Sequence, residues 1–143
     1  MKIVLTGTSG QVGVHLLPLL RAHEVIAPNR AALDFADANA VHAFIKKHAP
    51  QLVINPAAYT AVDKAETEVE AAYAVNAHAP AALAQACEHV GAPLIHFSTD
   101  YVFDGANTTP WTERDETRPL GIYGASKLAG EKAIAASGCA HII

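Results

Sequence analysis

The 143-residue sequence predicts an α/β fold in which a doubly wound parallel sheet carries helices on both faces. Apolar runs of four to six residues alternate with longer alanine-rich stretches, which is the pattern of buried parallel strands and the helices that connect them. A glycine-rich segment follows the first apolar run directly. The 51% hydrophobic and 17% charged composition is typical of a globular chain, and we expect a single domain over residues 1–143.

Five short apolar segments are expected to form strands, at Lys2–Leu5, Glu24–Ala27, Leu52–Asn55, Pro93–Ser98 and Ala140–Ile143. Their lengths and their β-branched residues favour strands that are buried on both faces. The stretches between them have a helical pattern, at Gln11–Arg21, Ala38–His48, Glu66–Val90 in two pieces and Tyr123–Ala136. Asp37 is expected to cap the second helix. Asn76, followed by Pro80, marks the join in the long stretch, because proline has no backbone donor.

A long irregular segment at about residues 100–120 separates the fourth strand from the last helix. Loops of this length in a compact domain are usually functional, so we expect part of a binding site there. The sequence then stops at Ile143, within a predicted strand. We therefore expect the chain to be a fragment of a longer protein.

Composition and charge exclude several classes of function. The chain has 10 Lys and Arg against 14 Asp and Glu, for a net charge of −4, and it has no basic run, so nucleic acid is not expected as a partner. The apolar run Val14–Leu20 is broken by His15 and Pro18 and is too short for a membrane span, and the N-terminus lacks the features of a signal peptide. We therefore expect a cytoplasmic protein. Cys87 and Cys139 are interpreted as free thiols, and the eight histidines lack a paired ligand spacing, so no metal site is expected.

Three glycines at a spacing of three follow the first strand, at Gly7, Gly10 and Gly13. A strand, a glycine turn and an apolar helix in this order form the dinucleotide-binding fingerprint of Rossmann-type folds. We expect Gly7 to permit the tight turn, Gly10 to let the backbone approach a pyrophosphate, and Gly13 to allow close helix packing. The helix N-terminus would favour the anion. A plain glycine-rich connection is the alternative, which the strand and helix pattern that follows disfavours.

The second strand ends without the acidic residue that would hold the ribose diol of NAD. Arg30 stands at this point instead, and an arginine suits the 2′-phosphate of NADPH. We therefore expect NADPH as the cofactor, with NADH as the second choice. A solvated loop charge is an equally good interpretation of Arg30. Asp34 and Phe35 follow closely and are placed near the adenine.

Tyr123 and Lys127 are four residues apart at the start of the last helix, so they lie on one helical face. A nearby ammonium favours an ionised phenol, and such a pair can move a proton to or from a carbonyl oxygen. An ordinary exposed contact is the alternative for any isolated pair with this spacing. A hydroxyl at the end of the fourth strand, from Thr99 or less favourably from Ser98, would hydrogen-bond the same oxygen. Simple capping is the alternative for these hydroxyls.

Two longer segments resemble the dTDP-4-dehydrorhamnose reductase family, an extended type of short-chain dehydrogenase/reductase. They are Asn55–Glu66 after the third strand and Ser98–Gly105 after the fourth. The resemblance implies that Tyr123 donates the proton, with Lys127 as its partner and as a ribose ligand. It also implies substrate contacts from Thr99 and Asp100. The cofactor contacts implied by the resemblance are Gly10, Gln11, Val12, Asp34, Phe35, Ala57, Ala58 and Tyr59.

The resemblance further implies the reaction, which is reduction of the 4-keto group of dTDP-4-dehydro-L-rhamnose to dTDP-L-rhamnose by hydride from NAD(P)H. Members of this family continue through the last strand of the sheet into a C-terminal substrate domain, so the resemblance implies that the sequence is truncated before both. Without this C-terminal half, we expect the chain to bind the cofactor weakly or to be inactive by itself. Two alternatives remain open: a sugar-nucleotide epimerase or dehydratase, and a non-catalytic subunit similar to the regulatory subunit of methionine adenosyltransferase. A homodimer through the open sheet edge is a further expectation.

Overall fold

A computed structural model describes all residues, 1–143, and contains a five-stranded parallel sheet. The strands are β1 (Lys2–Leu5), β2 (Glu24–Ile26), β3 (Leu52–Asn55), β4 (Leu94–His96) and β5 (His141–Ile142), in the spatial order β2-β1-β3-β4-β5. Ile3 pairs with Leu52 across β1 and β3, and Val53 pairs with Leu94 across β3 and β4. The predicted strands are therefore confirmed, although β2, β4 and β5 are shorter than expected.

Six α-helices connect the strands: α1 (Gln11–Leu16), α2 (Ala38–His48), α3 (Val62–Ala65), α4 (Val69–Tyr73), α5 (Ala79–Val90) and α6 (Ile122–Ala136). The expected helix at Gln11–Arg21 is shorter, because residues 17–20 form a 3₁₀ turn. Pro18 has no N–H for an α-helical bond at this point. The predicted cap of α2 is confirmed, since the Asp37 carboxylate accepts the N–H groups of Asn39 and Ala40.

The long helical stretch begins earlier and has more pieces than expected. It starts at Val62, and the predicted join is a π-helical turn over Ala74–His78 that leads into α5. In this turn the Ala79 N–H reaches back to the Ala74 carbonyl. Pro80 has no N–H to donate to the Asn76 carbonyl, which would be its α-helical partner, so the wider turn is favoured.

The core lies on both faces of the sheet because successive strand residues point to opposite sides. Val4 packs with the buried faces of α2 and α5, in the larger of two apolar clusters, whereas Ile3 and Leu5 pack towards α1. Cys87 and Cys139 are free and buried in the larger cluster. Burial raises the pKa of the Cys87 thiol to about 12, and the neighbouring Cys139 thiol adds to this effect. The fold therefore brings together two cysteines that the sequence places in unrelated contexts.

The strand order reverses between β1 and β3, because β2 lies on one side of β1 and all later strands lie on the other. Ligands of open parallel sheets bind beyond the carboxyl ends of the strands at such a point. None of the helices combines the length and the apolar character that crossing a bilayer requires.

Candidate active site

The glycine turn joins β1 to α1, and its three glycines meet different surroundings. Gly7 has a positive φ of 57°, and a Cβ added there would come within 2.8 Å of the Ala57 backbone nitrogen. A Cβ on Gly13 would overlap the Gly7 carbonyl oxygen. Gly10, by contrast, faces open space except for the Gly7 oxygen at 3.4 Å. The chain itself thus requires glycine at positions 7 and 13, and leaves room beside Gly10.

Gly10 is also the N-cap of α1, and no side chain caps the N–H groups at this end. Gln11 and Val12, the first two residues of the helix, are exposed. Uncapped N–H groups at a helix start attract anions. The space beside Gly10 therefore suits a pyrophosphate.

The segment after β2 exposes Arg30 within a turn in which the Asn29 side chain accepts the Ala32 N–H at 2.9 Å. Arg30 forms no ion pair. The Asp34 carboxylate accepts the Ala36 N–H at 2.9 Å, and the half-buried Phe35 ring packs against the main core. Arg30 is therefore available to an external anion, whereas Asp34 stabilises its own turn.

The segment after β3 is held by a buried side chain, Asn76, in the π-helical turn. Its Oδ1 atom accepts the Tyr59 N–H at 2.8 Å, and its Nδ2 atom donates to the Tyr59 carbonyl at 3.0 Å. The Tyr59 hydroxyl donates to Glu68 at 2.6 Å, and this hydrogen bond raises the pKa of Tyr59. These contacts fix Tyr59, the last residue of the predicted cofactor segment 57–59, through its backbone and its hydroxyl.

The end of β4 presents two hydroxyls with different partners. Ser98 donates to the Glu131 carboxylate of α6. Thr99 caps the following 3₁₀ turn, since its Oγ1 atom lies 3.3 Å from the Tyr101 nitrogen, and it also lies 3.3 Å from an oxygen of Asp100. Ser98 is thus engaged inside the fold, whereas Thr99 lies at the edge of the site, next to the exposed Asp100.

The N-terminus of α6 is anchored by Glu66, whose Oε1 atom accepts the Ile122 N–H at 2.8 Å. The N-cap residue itself is Gly121, which has no side chain to supply this acceptor. At the next turn Gly124 lies directly against the Tyr101 carbonyl, where a Cβ would overlap the oxygen. These contacts hold the start of α6, and Tyr123 with it, against the turn that follows β4.

Tyr123 is half-buried, and its ring meets the Tyr101 ring edge-on with the centroids 5.4 Å apart. No protein group forms a hydrogen bond with the Tyr123 hydroxyl. The rings of Tyr101 and Tyr123 line an open cleft of about 450 Å³. The cleft also includes Asp100 and the stacked rings of Phe103 and Trp111, whose centroids are 4.5 Å apart. A phenol facing this cleft is available to a ligand.

Lys127 is only 1% exposed, one turn after Tyr123 on α6. Its Nζ atom donates to the Phe97 carbonyl and lies 3.3 Å from Nε2 of His96. Burial lowers the pKa of Lys127 to about 8, while the Glu131 carboxylate acts in the opposite direction. The amine is therefore held at the end of β4 and forms no hydrogen bond with the Tyr123 hydroxyl.

His96 is buried at the end of β4, with Nδ1 at 3.0 Å from the side-chain nitrogen of Asn55. Burial and the nearby Lys127 charge lower the pKa of His96 to about 3. His96 is therefore neutral near pH 7, and one of its ring nitrogens can accept a hydrogen bond.

Comparisons with known proteins show the family of this chain. A family profile described as "RmlD substrate binding domain" matches residues 1–143. A dTDP-4-dehydrorhamnose reductase of Sinorhizobium fredii is 44% identical over 144 aligned residues, which cover 100% of this chain and 49% of the relative. The chain belongs to the dTDP-4-dehydrorhamnose reductase family.

Two solved reductases of this family have the same fold. A reductase from Clostridium acetobutylicum superposes with a TM-score of 0.95 at 43% identity, over 99% of this chain and 51% of the other. A reductase from Bacillus anthracis, solved in complex with NADP, superposes with a TM-score of 0.93 at 34% identity, over 98% and 50% of the two chains. The Rossmann-type fold is thus confirmed, and the chain spans about half the length of the relatives it matches.

Several residues that build the candidate site have no signal in the sequence that marks them as site residues. The sequence indicates Asn76 only as a helix join, through the Pro80 that follows it. Glu66, His96 and Trp111 had no signal of this kind. The partner of Glu66 is Ile122, 56 residues away in the chain, and the partner of His96 is Lys127, 31 residues away.

Glu66→Ala is expected to destabilise the chain by about 1 kcal/mol, because it removes the only side-chain acceptor at the start of α6. Urea denaturation followed by circular dichroism measures the change. Glu66→Gln keeps an acceptor oxygen and loses the charge, so it should fall between the wild type and the alanine variant. An unchanged unfolding midpoint for Glu66→Ala would exclude this anchoring role.

Acid should destabilise the wild-type chain more than it destabilises the His96→Gln variant. Because the folded-state pKa of His96 is about 3 and the unfolded value is about 6.5, the unfolded chain binds the extra proton between these values. Stability is then lost as the pH falls below about 6.5. Urea titrations at pH 7 and at about pH 4.5 measure the free energy of unfolding. Between these pH values the wild type should lose about 2–3 kcal/mol more than the His96→Gln variant. The other seven histidines are common to both chains, so an equal loss would contradict the prediction.

Proposed function

We propose that this chain is the cofactor-binding part of a reductase that converts dTDP-4-dehydro-L-rhamnose to dTDP-L-rhamnose, using NADPH or, as a second choice, NADH. The observation that carries the proposal is the Tyr123 hydroxyl, which has no protein partner, lines the cleft and lies one turn before the buried Lys127. The names and the bound NADP of the relatives support this choice of reaction and cofactor.

Residues 1–143 form a single NAD(P)-binding domain in this proposal. The open space beside Gly10 and the uncapped start of α1 fit a pyrophosphate, with the backbone of Gln11 and Val12 nearby. The exposed Arg30 suits the 2′-phosphate of NADPH. The remaining contacts are assigned to Gly7, Gly13, Asp34, Phe35, Ala57, Ala58, Tyr59, Tyr123 and Lys127. When bound, the dinucleotide supplies the hydride.

The protein groups complete the chemistry of carbonyl reduction. Tyr123 donates a proton to the carbonyl oxygen of the sugar, which becomes a hydroxyl. The Thr99 hydroxyl turns away from the Asp100 carboxylate, 3.3 Å from it in the structure, and donates a hydrogen bond to the same oxygen, where negative charge develops. Lys127 favours the ionised form of the phenol and binds the ribose of the cofactor. Asp100, exposed beside Thr99, contacts the sugar.

Calorimetric titration of the 143-residue chain with NADPH and NADH tests the cofactor site. Saturable binding with NADPH preferred is expected, and Arg30→Ala should remove most of the preference without abolishing binding. Arg114→Ala is a matched control, because Arg114 is also exposed but lies outside the proposed cofactor site. Binding of neither nucleotide to the chain, nor to a form that carries the C-terminal half of its relatives, would refute the dinucleotide site.

Net consumption of NADPH distinguishes the alternatives. A form of the protein with the C-terminal half should oxidise one NADPH for each 4-keto sugar nucleotide reduced. An epimerase or dehydratase regenerates its cofactor, and a binding subunit leaves it unchanged. Absence of net oxidation by this longer form would therefore overturn the reductase proposal even where NADPH binds.

A further inference from the structure

A buried row of polar side chains connects the ends of β1 and β3 to Lys127. The Thr6 hydroxyl lies 2.5 Å from the side-chain oxygen of Asn55, and the side-chain nitrogen of Asn55 lies 3.0 Å from Nδ1 of His96. Nε2 of the same ring lies 3.3 Å from Nζ of Lys127. All four residues are buried, with exposures of 0–3%. Each polar group in the row therefore depends on its neighbours for hydrogen bonds.

A neutral imidazole has one N–H and one acceptor nitrogen, so the His96 ring can take part in the row in two ways. If the Asn55 nitrogen donates to Nδ1, the ring proton lies on Nε2 and is donated to Nζ of Lys127. Only a neutral amine can accept this hydrogen bond. If Lys127 is an ammonium, Nε2 must accept and Nδ1–H must donate. The Asn55 amide then turns over, so that its oxygen faces His96 and its nitrogen donates to the Thr6 hydroxyl.

We propose that His96 is the positioning residue of Lys127, accepting one N–H of the ammonium at Nε2 while Nδ1–H is held by Asn55. This role rests on the proposed function, in which Lys127 acts beside Tyr123. An ammonium has three N–H groups. The Phe97 carbonyl and His96 take two of them, and the third has no acceptor within the chain.

The other polar and charged groups near Lys127 define what else acts on the amine. Glu131, one turn later on α6, favours the ammonium and is itself bonded by the Ser98 hydroxyl. Tyr123 lies one turn earlier on the helix without a hydrogen bond to Nζ. His96 is thus the only titratable group that contacts the amine directly.

Nitrogen-15 NMR of the histidine rings in the 143-residue chain tests the tautomer without any ligand. At pH 6, where Lys127 is charged and His96 is neutral, we expect His96 with its proton on Nδ1. A proton on Nε2 at this pH would overturn the proposal. The measurement needs no variant, so it remains decisive even if substitutions at this buried position impair folding.

His96→Gln and His96→Met form a matched pair of similar volume, in which only glutamine offers an acceptor near the Nε2 position. Both remove the ring contact with Asn55. Titration of the Lys127 side chain by carbon-13 NMR should give a pKa in the glutamine variant within about 0.3 of the wild type. The methionine variant should titrate about one unit lower, because the ammonium loses an acceptor.

Equal values in the two variants would overturn the positioning role. NADPH titrations of the same variants separate this result from the proposed function. If His96 acts as proposed and the chain binds NADPH, methionine should weaken binding several-fold and glutamine should not. If no variant binds NADPH but the NMR results hold, the cofactor proposal fails and the link between His96 and Lys127 stands.

Discussion

Tyr123→Phe is expected to lower kcat/KM for a 4-keto sugar nucleotide by about 10²–10⁴-fold, in a form of the protein that carries the C-terminal half of its relatives. The substitution removes one oxygen, and that oxygen has no hydrogen-bond partner within the chain. The Tyr101 ring packs against carbon atoms that phenylalanine keeps. Stability should therefore change little, and the loss of rate should exceed any loss of cofactor affinity.

Tyr73→Phe is the matched control, since Tyr73 is half-buried on α4 and lies outside the cleft. It should leave kcat/KM within about twofold of the wild type. Steady-state oxidation of NADPH measures both variants, and calorimetry measures their cofactor affinity. If Tyr123→Phe retained most of the wild-type rate, another group would have to donate the proton, and the assignment of Tyr123 would fail.

The sequence predicted those parts of the site that depend on local spacing. Gly7 and Gly10 lie in one turn and Gly13 in the helix that follows it, and Tyr123 and Lys127 lie on one face of one helix. Local spacing alone therefore brings each set together. The parallel sheet was also predictable, because the short apolar runs and the helical stretches alternate along the chain. The segment that follows β4 then leads to α6, the helix that contains Tyr123.

The partners that hold these residues were not predictable, because they come from distant parts of the chain. Asn76 binds the backbone of Tyr59 across 17 residues, and Glu66 binds Ile122 across 56. A single sequence contains no signal that pairs such residues. The tertiary environment of Lys127 likewise had no local signature, since its contact with His96 arises only when α6 packs on the sheet.

Gly13→Ala is expected to destabilise the chain by at least about 1–3 kcal/mol. The added Cβ would overlap the Gly7 carbonyl oxygen and lie 2.7 Å from the Thr8 Cα atom. Both are backbone atoms in a tight turn, so neither can move aside as a flexible side chain would. Urea denaturation should show an earlier midpoint, and any loss of NADPH binding should follow the loss of folded protein.

Gly10→Ala should behave in the opposite way. Gly10 has φ −85° and ψ 167°, which alanine adopts without strain, and its added Cβ would meet only the Gly7 oxygen at 3.4 Å. Stability should stay within about 1 kcal/mol of the wild type, because the weaker N-cap is offset by the lower entropy of the unfolded chain. NADPH affinity should fall about tenfold or more, since the methyl group occupies the space proposed for the pyrophosphate.

The two substitutions separate a structural need for glycine from a need imposed by the ligand. A turn that served only to connect β1 to α1 would need glycine at positions 7 and 13, where the chain approaches itself, and would accept alanine at position 10 at no cost to any function. Only a ligand that lies against the backbone makes the third glycine necessary. If Gly10→Ala bound NADPH as tightly as the wild type, the glycine turn would be a connection alone, and the dinucleotide site would have to lie elsewhere.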